Sequence, residues 1–287
     1  MSWLDQLAPI AVALLWPALG FALLAFVARG VASLRTARAA AGEVRVNLTL
    51  YVLDALLIAP SLGLMATAIA AWLSANGLVL VSAATWATLP VWLLLFIALF
   101  FGDFVGYWRH RLEHTAPLWP AHAVHHSDTA MTWTTLHRFH PINRLTTTII
   151  DSGALALLGF PPWVVLANAL TRHHYGMFVH TALPWTLGPL GRVFVSPAMH
   201  RWHHARDSEH AGKNFATLFS VFDQAFGTYH APGPCTAPLG VPDEMGRGVI
   251  GQLLYPFRAA WRLIPRAGTA KREPATPKGR RMPTEIA

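Results

Sequence analysis

From Val46 to Gly102 the chain carries one charged side chain, Asp54, and that stretch leaves few folds open. About 20 apolar residues in a helix cross a hydrocarbon core of roughly 30 Å, and this run holds enough for two crossings. SANG at Ser74–Gly77 is its one clear turn signal,. The stretch therefore predicts a helical hairpin: a span near Leu48 to Leu73, an outside turn, and a return span from Leu78 or Trp86 to Tyr107. Pro60 and Pro90 are expected to kink these helices. Pro9 to Ala28 is a further apolar run. It follows Asp5 rather than a basic segment and precedes an arginine cluster, so it reads as a retained anchor and not a signal peptide,. Composition agrees with a membrane chain: 13% of residues are charged, against about 25% in an average soluble domain.

The formal charge of +8 raises nucleic acid as a partner, but the basic residues are placed as a membrane topology requires,. Arg29, Arg35, Arg38 and Arg45 follow the first apolar run, and a basic tail runs from Arg258 to Arg281. Both are expected in the cytoplasm, Arg29 to Arg45 as a loop, with the N-terminus outside and no nucleic-acid partner. Residues 145–160 are apolar, broken by Pro161 and Pro162, and followed by an apolar stretch to Leu170. This predicts a second helical hairpin or re-entrant pair, with Asp151 facing protein or the interface. Gly188 to Ser196 reads as a surface connection, Tyr255 to Ile264 as a short interfacial helix, and Arg266 onward as disorder. The expected fold is an all-α integral membrane helical bundle with a cytoplasmic histidine-rich cap. Three regions follow: N-terminal transmembrane helices in 1–102, a histidine-bearing region with the further membrane hairpin in 103–230, and a Pro/Gly-rich, basic C-terminal tail in 231–287.

All 15 histidines lie between His110 and His230. Eight fall in three clusters: His110 and His114; His122, His125 and His126; His200, His203 and His204. Residues three and four apart share a helical face, so each cluster is expected to aim its imidazoles at one spot. Asp103, Tyr107, His110 and His114 continue such a face along the return span. Eight imidazoles exceed what one zinc uses, which implies two metals, and imidazole suits zinc, copper, iron or nickel. The single Cys235 excludes a CxxC pair or internal disulfide, so any metal is held by nitrogen and oxygen,. Glu113, Asp128 and Asp207 adjoin the clusters as partners of ligands or as solvated groups. His210 and His230 read as interfacial or solvated.

The boxes HRLEH, HAVHH and HRWHH, with DFVGYWRHR before them, RFHP at Arg138–Pro141, FVH at Phe178–His180 and the closing NFATLFSVFDQAFGTY, resemble the fatty acid hydroxylase and sterol desaturase superfamily from about Asp103 to Tyr229. The resemblance implies a non-haem di-iron centre that activates dioxygen against an unactivated C–H bond of a lipid. It implies iron ligation by His110, His114, His122, His125, His126, His200, His203 and His204. His180 matches an additional family histidine, either as a ligand or as a hydrogen-bonded neighbour. Asp103, Tyr107, His140 and Asn214 match positions expected to fix imidazole orientation and tautomer. One departure is Asn143, where the family often carries an acid, so a carboxylate partner is not expected there.

The implied substrate is a fatty acyl, sterol-like or isoprenoid lipid, hydroxylated or, alternatively, desaturated. The chain shows no dinucleotide fingerprint, iron–sulfur cysteine set or fused haem domain, so electrons must come from a separate ferredoxin, cytochrome or reductase. A zinc-dependent membrane hydrolase would use about three ligands and a general base, leaving most boxes idle. A membrane haem carrier would place paired histidines on opposed helices.

Overall fold

The computed structural model describes residues 3–206, 212–246 and 248–263; Asp207, His210, Ile264 and the tail beyond them lie outside the described residues. Helix α1 (Trp3–Arg29) turns at Gly30, φ 55°, into α2 (Ala32–Leu53), which continues through a π turn (Asp54–Ile58) into α3 (Ala59–Ala75). A short α4 (Ala83–Ala87) leads to α5 (Val91–Glu113), and α6 (Trp119–His126) follows. The chain then makes a 3₁₀ turn (Trp133–His137), α7 (Pro141–Thr147), a second π turn (Thr148–Ser152) and α8 (Gly153–Leu157), before returning along α9 (Pro162–Val179). Helices α10 (Pro197–His203), α11 (Val221–Ala225) and α12 (Gly248–Leu263) complete the order. Among the described residues strand pairing is limited to isolated bridges, Phe194–Phe219 and Ala205–Leu239. The chain is all-α.

Three helical stretches, Ala8–Arg29, Ala32–Ala75 and Val91–Glu113, are long and apolar enough to cross a membrane, and the chain is a multi-pass integral membrane protein. The second differs from expectation. It is one helix of 44 residues, roughly 66 Å at 1.5 Å per residue, about twice a hydrocarbon core. Only part of it fits there. The expected arginine loop is helical instead, because its alanine-rich sequence favours helix,, and its polar face has partners. Buried Asn47 donates to Asp128 Oδ2 at 2.8 Å and Thr134 Oγ1 at 3.1 Å, and Glu43 pairs with Arg138. Helix α1 doubles back along α2, with Phe21 stacked on Trp133 at 5.8 Å.

The prolines act differently from simple kinks. Pro60 sits at the start of α3, directly after the π turn. The proline removes a backbone donor and its ring crowds the preceding turn, which a locally widened helix accommodates. Pro90 caps the N-terminus of α5 and so starts the return span at Val91.

Residues 141–179 form a helical hairpin whose break lies at Gly159–Pro161. Its tip meets the connection between α3 and α5: Trp86 Nε1 donates to Leu158 O at 2.9 Å, and Trp86 stacks on Phe160 at 4.5 Å. A Cβ on Gly159, which has φ 70°, would meet Val81 O at 2.1 Å. Helix α12 begins earlier than expected and exposes Ile250, Leu254, Phe257 and Trp261 along one stripe. That spacing makes one apolar face along the helix.

Helices α5 and α9 pack through small residues. A Cβ on Gly102 would lie 2.5 Å from Asn168 Oδ1, and one on Gly106 would lie 1.8 Å from Arg172 Nη2. Close approach of this kind is the use of a small-xxx-small pattern in membrane helices. It lets Arg172 reach Asp151 at 3.0 Å and Asp103 at 3.5 Å. Gly106→Leu should displace that guanidinium and destabilise the protein by about 1–3 kcal/mol or more. Thermal unfolding in detergent reads this as a lower midpoint, and an unchanged midpoint would contradict the packing.

Candidate metal centre

The histidines converge at the C-terminal end of α5. His110 lies on its last turn and His114 caps it, while α6 carries His122, His125 and His126. Helix α10 is started by Ser196, whose side chain accepts from Met199 N, and by Pro197 at its first position; it carries His200 and His203, with His204 at its cap,. His180 caps the end of α9. A cluster of Tyr107, Val179, Val195, Met199, Phe215 and Phe222 packs α5, α9 and α10 together with the 215–222 segment.

The imidazoles form two groups: His110, His114, His122, His126 and His203 in one, and His125, His180, His200 and His204 in the other. Within each group the nearest ring nitrogens all lie within 4.8 Å of one another. The second and third boxes do not aim at one spot. Each splits: His122 and His126 face one group and His125 the other, while His200 and His204 face one and His203 the other. Residues four apart share a face, whereas a neighbour one residue on points about 100° away, so each HH pair straddles both groups. The groups adjoin where the rings of His126 and His204 stack at 4.3 Å.

The donor set fits cations. His110 Nδ1 donates to Phe215 O at 2.7 Å, His203 Nδ1 to Lys213 O at 2.6 Å and His180 Nδ1 to Gly176 O at 2.6 Å. In the neutral tautomer each such bond leaves Nε2 bare. Yet His110 Nε2 and His203 Nε2 face each other at 3.0 Å, and His180 Nε2 faces those of His125 and His200 at 3.1 and 3.0 Å. The first pair places lone pair against lone pair, an arrangement that a shared cation relieves. Both ring nitrogens of His204, and Nε2 of His114, are buried without hydrogen-bond partners. Burial holds His122, His125, His126, His200 and His204 well below the usual imidazole pKa, pushes His203 down to about 4 and His180 to about 3. At neutral pH these rings are uncharged, which is the ligating form.

The remaining sequence-selected residues divide. Asp103 accepts from the backbone N–H groups of Thr217, Leu218 and Phe219 at 3.3, 3.0 and 2.7 Å, holding the segment whose Phe215 carbonyl orients His110. Thr228 donates its only proton to Asp223 at 2.7 Å, so Tyr107 donates to Thr228 across 3.0 Å. Asn214, in the left-handed region at φ 59°, donates to Met199 O and His230 O and accepts from His230 N. It thereby fixes the carbonyl of neighbouring Lys213 on His203. His140 is placed elsewhere: its ring accepts from Ile142 N at the start of α7 and faces Leu253 O at 3.1 Å. It serves as a helix cap and a tie to α12, touching no box ring among the described residues.

Two residues in contact with this framework had no firm role from sequence. Glu113 is fully buried, paired with Arg109 at 2.7 Å and 3.4 Å from His122 Nδ1, which Asn143 also approaches at 3.3 Å. Asp223 accepts from Phe215 N and Ala216 N as well as Thr228. Its signal was an acid within an otherwise apolar run. Asp128 bonds Asn47, Thr135 and Ala130, away from the rings.

A multi-pass helical chain with two adjoining imidazole groups at the end of a span is a histidine-box membrane protein. The family model for fatty acid hydroxylases matches residues 95–228, the stretch that holds all three histidine boxes. It is 32% identical to the ornithine lipid hydroxylase OlsE of Rhizobium tropici over 56% of this chain and 49% of that protein. With an alkylglycerol monooxygenase of Caenorhabditis elegans it shares 31% identity over 58% of this chain and 32% of the relative. A sterol desaturase of Aspergillus fumigatus is 28% identical over 57% and 59% of the two chains. The match thus spans about half the length of the first of these curated relatives and about a third of the second. No solved structure matches the chain.

Proposed function

We propose that this protein is a membrane-bound non-haem di-iron oxygenase that hydroxylates a C–H bond of a lipid. The carrying observation is the pair of adjoining all-imidazole groups, which together offer nine ring ligands. His110, His114, His122, His126 and His203 would hold one iron, and His125, His180, His200 and His204 the other. Iron held there would supply reductive activation of dioxygen for attack on an unactivated C–H bond. A single zinc with three ligands and a base would leave most of this set unused.

The chain's own residues orient and enclose. Carbonyls of Phe215, Lys213 and Gly176 fix the tautomers of His110, His203 and His180, the kind of support that sets imidazole basicity and direction,. Asp103, Tyr107, Asn214 and Asp223 hold the Phe215 and Lys213 carbonyls in place. A cavity of about 630 Å³ borders His110, His122, His125, His180 and His200 and extends to Leu155, Val165 and Ala169, an apolar wall suited to a lipid chain,. Electrons come from a separate ferredoxin, cytochrome or reductase.

Hydroxylation is preferred over desaturation because relatives named as a hydroxylase or monooxygenase match at 30–33% identity, and the sterol desaturases at 27–28%. Membranes from expressing cells, given a lipid extract, a reductant and labelled dioxygen, should incorporate label into lipid. New unsaturation without label would favour the desaturase reading, and turnover of water-soluble substrates alone would overturn both.

The histidine site and C-terminus are assigned to the cytoplasm, with the turn at Ser74–Gly77 outside, from the arginines of Arg29–Arg45 against that uncharged turn,. Asn76→Cys should react with an impermeant maleimide on intact cells, while the half-buried native Cys235 should not. Reaction at Cys235 with none at position 76 would reverse the orientation.

A further inference from the structure

The cavity that borders the histidines has a second polar region that the metal groups do not use. Tyr51, His137 and His173 line it. The ring of His137 lies 4.4 Å from that of Tyr51 and 5.4 Å from that of His173 between centroids. His137 is 8% exposed, and its Nε2 is buried with no hydrogen-bond partner. Among the described residues, neither the Tyr51 hydroxyl nor the His173 ring has a hydrogen-bond partner either. The unmade bond at the buried His137 nitrogen is costly, and a ligand that makes it is favoured,, while the half-buried Tyr51 and the exposed His173 offer further open groups beside it.

The charges around this region are already paired. Arg144 bonds Asp54 at 2.9 Å, Arg172 bonds Asp151 at 3.0 Å, and Arg109 bonds Asp151 at 2.8 Å and Glu113 at 2.7 Å. Burial pushes His137 down to about 3, so it is neutral near pH 7. Each guanidinium already has a carboxylate partner, so a phosphate or carboxylate would have to compete with one, and an added ammonium would face three arginines. What the wall offers is uncharged donors and acceptors. His173 also precedes His180 by seven residues on α9, two turns or about 10 Å.

We propose that Tyr51, His137 and His173 form a hydrogen-bonding subsite for an uncharged polar group of the lipid substrate, a hydroxyl, ether or ester oxygen. Held there, the lipid presents to the His180 end a carbon several bonds removed from that group. The inference rests on the lipid-oxygenase reading but is tested without turnover.

Full-length protein in detergent is loaded with a dibrominated stearyl alcohol, whose bromines quench tryptophan, and displaced with oleyl alcohol, oleate or oleylamine. Trp133 lies 6.1 Å from the His137 ring and serves as a local reporter. Oleyl alcohol should displace the probe about tenfold more tightly than either charged analogue, because burying an unpaired charge is costlier than burying a hydroxyl. Tyr51→Phe, which keeps the ring, and His137→Leu should each weaken alcohol binding about fivefold, the value of one hydrogen bond, and His137→Gln should restore most of it. Oleate binding as tightly as the alcohol, or unchanged alcohol binding in both Tyr51→Phe and His137→Leu, would overturn the subsite. Iron is assayed on the same samples: an iron-free wild type would sink the oxygenase reading, while the binding order would still judge the subsite.

Discussion

Replacing His180 with alanine should leave about one iron per chain instead of two and abolish lipid oxygenation. His180 is the hub of the four-membered group, with its Nε2 3.1 Å from that of His125 and 3.0 Å from that of His200. The group contains no carboxylate or cysteine that could take its place. The five-membered group does not include it, so that ion should persist. His174→Ala, on the same helix but outside both groups, provides the control and should retain both ions. Metal analysis of each variant alongside lipid turnover checks the outcome. Two irons retained in the His180 variant would mean that His180 is not needed to hold the second ion.

Asp223→Ala should release iron about 10–100-fold more readily than the parent, although Asp223 touches no histidine. Its carboxylate accepts from Phe215 N and Thr228 Oγ1, both at 2.7 Å, and from Ala216 N at 3.1 Å. Without it, buried donors lose their partner, at about 1–3 kcal/mol each, and the Phe215 carbonyl that orients His110 loses its anchor. Asp103→Ala should act in the same direction, since it holds the next three N–H groups of the segment. A chelator-challenge time course on folded protein, with helicity checked by circular dichroism, measures the effect. Unchanged release rates in a folded Asp223 variant would remove this segment from the site's support.

Much of this architecture was legible in the chain because it follows from local periodicity. Apolar length set the spans, and the four-residue spacing of His110 and His114 set their common face. The second and third boxes were read too simply. The i, i+4 pairs do converge, but the histidine beside each pair turns to the other group, and only the packing of α6 against α10 reveals that two targets exist. The helical state of Arg35 to Arg45 was hidden because charge suggested a loop, while its partners, Asp128, Thr134 and Arg138, lie more than eighty residues away. Pro60 was visible, but not the π turn that absorbs it. His140 shares residue type and neighbourhood with the boxes, yet its backbone places it as a cap. Asp223 acts through a carbonyl, and a contact of that kind leaves no spacing to read.

The central claim is that the nine histidines divide into two iron sites. The most direct test is the iron-to-protein ratio of the native chain purified from iron-supplemented cells, with zinc and copper measured on the same samples. The account predicts about two irons per chain, one for each imidazole group, and neither other metal in stoichiometric amount. A single zinc per chain, with iron absent, would contradict it.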